Sequence, residues 1–297
     1  MSTRGKSITL FLMDGSVTGC IRYTLANWTG VAYKIPRTKL DNCLGRSDLK
    51  RSGVYFLFGT SDDTGKNVVY IGQAGARKKG EGILSRLQEH KHNSDKDYWT
   101  EAVTFTTSND SFGATEISYL ENRFWNMAID AERYMVKNIT GPTPGHITEE
   151  KQSELEEFID NSRIIMGTLG HRVFEPLFDN IDRNSQGEAK ENEKQFLSFK
   201  LKPRKSERQI EAFGKQTDEG FVVLKGSMIS TTEKENLSLK VKEARKKALI
   251  DENGILQEDT LFHSPSFAAA FVVGRTYRGN KAWKNQEGKT LNEIESN

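Results

Sequence analysis

Five side chains in the middle of this sequence are of types that move protons or hold anions, and their spacing places them together. Tyr55 ends Gly-Val-Tyr in the apolar run GVYFLFG, and Tyr70 opens Tyr-Ile-Gly in VVYIGQ. If the two runs pair as a hairpin, side-chain alternation lets both phenols lie on one face. In the helical stretch that follows, Ile83, Leu84 and Leu87 form an apolar stripe, and Arg86 and His90 stand four apart on its margin, a guanidinium beside an imidazole. Further on, Ile117, Leu120, Phe124 and Met127 have the period of a buried helix face, and Glu121 flanks it between Ile117 and Phe124. A carboxylate on such an edge is not an ordinary solvent-facing choice.

The elements that must position these groups read as α+β. From Ser52 to about Asn138 the order is strand, turn (TSDDTGKN), strand, basic loop, helix (GILSRLQEHK), strand (AVTFTT), helix (TEISYLENRFWNMAIDAERYMVK). The glycine-rich loop between Tyr70 and Arg86 is not a phosphate-cradling P-loop. Gly59 to Gly65-Lys66 is one residue too long and ends in Asn67, and Gly75 to Gly80 is followed by Glu81. No dinucleotide fingerprint, HExxH or GxSxG occurs.

GVY and YIG in order, then Arg86 and His90, then Tyr-Leu-Glu-Asn-Arg-Phe-Trp around Glu121, then Asn138, resemble the GIY-YIG endonuclease family over roughly residues 52–140. The resemblance implies a small three-stranded antiparallel sheet flanked by helices that hydrolyses DNA phosphodiesters with one divalent metal. Carried onto this chain, Glu121 ligates Mg²⁺ or Mn²⁺, a hard cation that keeps several waters. Arg86 grips phosphate and stabilises the transition state. Tyr55 is the general base, a role that demands a phenol pKa well below about 10. Tyr70 and His90 position water or relay the proton, and Asn138 holds the tyrosines by hydrogen bonds. Two features depart from the pattern. The turn between the tyrosines is longer than in compact members, and Gln73 stands where some members carry a lysine, for which Lys78 or Lys79 could substitute. Each residue alone has an ordinary reading as strand packing, solvated helix face or surface ion pair. The constellation carries the argument.

Around this region the chain divides into a β-rich N-terminal extension (1–50), the nuclease-like domain (51–140), a helical connector (141–183) whose Leu155, Phe158, Ile159 and Met166 have a helix period, a charged linker (184–219) with one short strand, and a small α+β C-terminal domain (220–297). In the last part GFVVLKGS, SPSFAAAFVVG and Lys-Ala-Trp-Lys resemble a domain of unknown function found behind GIY-YIG domains, related to modules of restriction and modification enzymes. Ser264 before Pro265 reads as a helix N-cap rather than a nucleophile.

Lys plus Arg number 43 against 41 Asp plus Glu, so a polyanionic partner must be met by local patches. The candidates are Arg77, Lys78 and Lys79 in the loop, with Lys242, Arg245 and Lys246 on a C-terminal helix and Trp283 stacking on a base. Cys20 and Cys43 have no ligand spacing and read as core thiols. ITLFLM, residues 8–13, is far short of the roughly 20 residues of a membrane span, so the expectation is a cytoplasmic protein with no membrane partner and no small-molecule cofactor. A metal-dependent DNA endonuclease is the leading expectation, and a non-catalytic DNA-binding or regulatory protein on the same fold is the alternative. A single-strand nicking site needs two copies for a double-strand break, which is compatible with a homodimer on DNA.

Overall fold

The structure is a computed structural model that describes residues 5–75, 82–177, 196–201 and 210–296. It divides into two compact units, Met1–Pro176 and Leu177–Asn297. No helix among the described residues is long and apolar enough to cross a membrane.

The first unit is built on a sheet with strands β1 (Ile8–Leu12), β2 (Ile21–Leu25), β3 (Gly30–Pro36), β4 (Gly53–Thr60), β5 (Asn67–Ala74), β6 (Trp99–Thr107) and β7 (Met135–Val136). Among the described residues their order is β1-β2-β3-β6-β4-β5-β7, antiparallel throughout except for the β5–β7 pair. The three expected strands are therefore its β6-β4-β5 segment, in a sheet of seven. Strand β3 pairs with β6 over seven residues, from Gly30↔Thr107 to Pro36↔Glu101, so the supposed N-terminal extension is part of the same sheet. Pairing between strands some seventy positions apart leaves no local trace in sequence.

Alternation gives the sheet two buried faces. Val54, Phe56, Phe58, Val69, Ile71, Val103 and Phe105 point to one side, where α2 (Ala114–Ala131) and α3 (Glu149–Thr168) cover them. Tyr55, Leu57, Ala102 and Trp99 point to the other, under α1 (Ile83–Lys91) and the 3-10 helix Arg37–Cys43. The two thiols lie here, buried and free. Helix α2 starts where Glu116 accepts a hydrogen bond from the Gly113 N–H, and it ends at Glu132, whose left-handed φ of 51° turns the chain back toward β5. Its Ile117, Leu120, Phe124 and Ala128 are buried as the helix period requires. Each large side chain among them contributes about 1.5–3 kcal/mol of burial. Helix α3 forms as expected from Leu155, Phe158, Ile159 and Met166, with Thr148 as its N-cap.

The second unit holds a sheet ordered β11-β10-β9-β8: β8 (Phe196–Leu201), β9 (Ile210–Thr217), β10 (Gly220–Val223) and β11 (Thr260–Phe262). The helices are α4 (Leu239–Lys247), α5 (Pro265–Val273), α6 (Gly279–Ala282) and α7 (Leu291–Glu295). The stretch read as a linker supplies two of the four strands, so the compact unit starts well before residue 220. Ser264 caps α5 as the sequence indicates, its hydroxyl accepting from the Phe267 N–H at 3.2 Å.

Candidate active site

Register brings the two tyrosines together. Tyr55 pairs with Gly72 and Leu57 with Tyr70, so Tyr55 and Tyr70 share a face one step apart, ring centres 6.3 Å from each other. The Tyr55 ring lies across Gly72. A Cβ at that position would fall on the Tyr55 hydroxyl, which is the physical reason for the glycine in Tyr-Ile-Gly.

Helix α1 then lays its stripe on this face. Ile83, Leu84 and Leu87 are buried and His90 joins them, 3% exposed, with its Nε2 2.7 Å from Tyr55 Oη. The Arg86 guanidinium and the Tyr70 phenol lie beside the same hydroxyl and act on its proton. Arg86 stays on the margin, half exposed, paired with Glu89. Burial opposes its charge, but the bonds to Glu89 and Tyr55 outweigh that and hold it firmly protonated.

Protonation states follow from desolvation. Burial, with the Lys96 and Arg86 charges added, pushes His90 down to about 3, so the imidazole is neutral. Burial, and then the neighbouring Tyr70, push the Tyr55 phenol up, against the pull of Arg86. The expectation of a lowered phenol is therefore not met: Tyr55 keeps its proton.

Glu121 comes from the opposite layer and reaches the end of β5. Past Ile71 this strand is the sheet edge, because β7 pairs only with Val68 and Val69. The Asn138 side chain takes the next place on that edge, accepting from the Ile71 N–H at 3.1 Å and donating to the Ile71 carbonyl at 2.7 Å. Asn138 thus fixes the strand that bears Tyr70 through its backbone, where hydrogen bonds to the phenols were expected. Glu121 follows, its carboxylate accepting from the Gln73 backbone and side chain. Gln73 is oriented in turn by the Ser118 hydroxyl, 3.1 Å from its Oε1. Gln73 does not replace a lysine. It presents its amide to the acid.

Burial raises the Glu121 carboxyl above the usual range, against the Gln73 bonds and Arg86. Its charge in turn bears on both phenols. Among the described residues no Lys or Arg forms an ion pair with it, and no group of three or more His, Cys, Asp or Glu side chains is placed to hold a metal. A desolvated carboxylate without a counter-ion, oriented by neutral amides, fits a hard divalent cation that completes its shell with water. A shallow depression is bordered by Gln73 and Ala74 at the end of β5 and by Ser85, Arg86 and Glu89 of α1.

The sequence reading missed Lys96, at the end of the 3-10 turn Ser94–Lys96. Its Nζ stands 3.2 Å from the centre of the Tyr70 ring. The isolated turn has no periodicity to betray it. His171 has a structural place: its Nε2 lies 2.8 Å from Glu101 Oε1 and its ring stacks on Phe58.

The expected DNA contacts fare unevenly. Arg77, Lys78 and Lys79 lie outside the described residues. Lys246 is exposed on α4, and Lys242 is half-buried with its Nζ on the Glu235 carbonyl at 3.1 Å. Arg245 is not available to DNA: its side chain is 7% exposed and bonds Glu233 and the carbonyls of Ser230 and Phe271. Trp283 is fully buried against Phe199 and Phe221, with its N–H on the Pro265 carbonyl, so it cannot stack on a base. An aromatic between two lysines reads as exposed in sequence, but the short helix α6 turns it inward.

No curated protein and no solved structure matches the chain. Residues 203–295, within the second compact unit, match the family described as Domain of unknown function (DUF4357).

Proposed function

We propose that the protein is a metal-dependent DNA endonuclease of the GIY-YIG type, with its reaction centre at Tyr55, Arg86, His90 and Glu121. The observation that supports this most is the convergence of His90, Arg86 and Tyr70 on the single hydroxyl of Tyr55, with Glu121 close enough to act on both phenols.

Hydrolysis of a phosphodiester requires a deprotonated water, stabilised charge on the non-bridging oxygens and help for the departing 3′ oxygen. A phenol whose proton affinity is raised is a poor standing phenolate, but it can pass a proton on. Neutral His90, with its proton on Nδ1, accepts the Tyr55 proton at Nε2 while Tyr55 Oη takes one from water. The resulting imidazolium is disfavoured by burial and then by the Lys96 and Arg86 charges. A bound phosphate offsets both charges. Arg86 exchanges Glu89 for the phosphate and holds it by two parallel N–H bonds. Tyr70 orients the nucleophile beside Tyr55. Glu121, aimed by Gln73, would hold Mg²⁺ or Mn²⁺, which when bound supplies positive charge for the leaving oxygen.

In the C-terminal unit, Lys240, Lys246 and Lys247 remain exposed on α4 and are the groups there that would follow a DNA backbone.

The test is cleavage of supercoiled, linear, single-stranded and modified DNA with Mg²⁺, Mn²⁺ or EDTA, beside Arg86→Ala and Glu121→Ala. Metal-dependent cleavage lost in both variants is expected, and equal cleavage by all three proteins would overturn the reading. DNA binding without cleavage of any substrate would favour a non-catalytic binding protein.

A further inference from the structure

Lys96 stands over the Tyr70 ring with no counter-charge among the described residues. Among the described residues no carboxylate pairs with it and no hydrogen bond holds its Nζ, whereas neighbouring Arg86 has Glu89. Its one close contact is the face of Tyr70, at 3.2 Å. A ring quadrupole attracts an ammonium but does not neutralise it. The groups facing Lys96 are Tyr70 from β5 and Arg86 and His90 from α1. None of these is an acid ionised at neutral pH, and one is a second cation.

Burial, then the Arg86 charge, push the Lys96 ammonium down to about 8. Lys96 in turn opposes a proton on His90. An anion bound between the two cations reverses both effects, favouring the charged forms of Lys96 and of His90. Among the described residues no carboxylate takes the place beside Lys96 that Glu89 takes beside Arg86.

We propose that Lys96 and Arg86 together seat one phosphate of the DNA beside Tyr70, Lys96 as a point charge and Arg86 as a planar fork. The assignment rests on the nuclease reading and adds to it a positioning residue outside the motifs. It also gives substrate binding a second effect, since the seated phosphate raises the affinity of His90 for the Tyr55 proton.

The experiment uses full-length protein and a short duplex in EDTA, which separates binding from cleavage. Binding is followed as a function of salt for the wild type, Lys96→Met and Lys96→Arg, with the Lys96 ε-methylene titrated by NMR with and without duplex. Expected are a salt slope about one unit smaller for Lys96→Met, an upward move of the Lys96 titration on adding duplex, and a wild-type affinity that weakens above about pH 8 and is restored there by Lys96→Arg. An unchanged slope, or a titration indifferent to duplex, overturns the proposal. If either occurs while Arg86→Ala and Glu121→Ala still abolish cleavage, the nuclease reading stands without Lys96. If the Lys96 results hold but metal-dependent cleavage is absent, the phosphate seat stands and catalysis falls.

Discussion

Asn138 and Glu121 occupy consecutive places on the free edge of β5, one bonded to both backbone groups of Ile71 and the other to the N–H of Gln73. A two-residue strand, an amide and a carboxylate thus continue one ladder with progressively less backbone. The acid is thereby held in register with the strand that carries Tyr70, although it comes from a helix on the opposite layer.

Asn138→Asp keeps the acceptor for the Ile71 N–H and sets a charge against its carbonyl. A loss of about 1–3 kcal/mol is expected from the unsatisfied and repelled groups, read as a shifted urea midpoint at constant slope. Cleavage falls further than stability alone accounts for, because the β5 edge no longer aligns Gln73 with Glu121.

Gln73→Ala removes the side-chain bond to Glu121 and leaves the backbone one. Weaker binding of Mn²⁺ by about 10- to 100-fold, measured by water-proton relaxation, is expected with little change in thermal stability. Ser118→Ala, which frees the Gln73 amide to turn, changes affinity in the same direction by less.

His90 makes the fold sensitive to acid. Its folded pKa of about 3 lies below the unfolded value near 6.5, so between these limits the unfolded chain binds a proton that the folded chain refuses. Stability is complete above pH 6.5 and falls as pH drops toward 3, by at most about 1.4 kcal/mol per pH unit. Unfolding midpoints from pH 7.5 to 5 should show this slope in the wild type and a much shallower one in His90→Gln.

Tyr55→Phe leaves the ring in its cluster and deletes the hydroxyl at which His90, Arg86 and Tyr70 meet. Cleavage is expected to drop by about 10²- to 10⁴-fold, with duplex binding in EDTA retained. Comparable loss of binding would mean that the hydroxyl serves the fold or the substrate more than the proton.

In the second unit, Trp283→Ala is expected to destabilise by about 3–5 kcal/mol as a large core truncation, and Lys246→Ala to leave the unfolding midpoint in place. If duplex affinity falls for Lys246→Ala alone, the exposed face of α4 is the contact, and the tryptophan serves packing.

What sequence revealed of the site follows from period. Alternation put Tyr55 and Tyr70 on one face, and helical spacing brought Arg86, His90 and Glu121 to theirs. Asn138 and Gln73 were visible as residues, but their roles depend on which edge of β5 is free, a property of the whole sheet. Lys96 sits in a turn without repeat. The joining of β3 to β6, and the inward turn of Trp283, are long-range outcomes that no window of the chain contains.

The ring of Tyr55 across Gly72 has an evolutionary consequence. While a hydroxylated ring occupies position 55, no side chain fits at 72; a smaller residue at 55 would lift that restriction at once. A lineage that abandoned the chemistry would be free to drift at both sites, and the glycine would go soon after the tyrosine. Homologous chains with an alanine or serine at 72 are therefore expected to have lost the tyrosine at 55 as well.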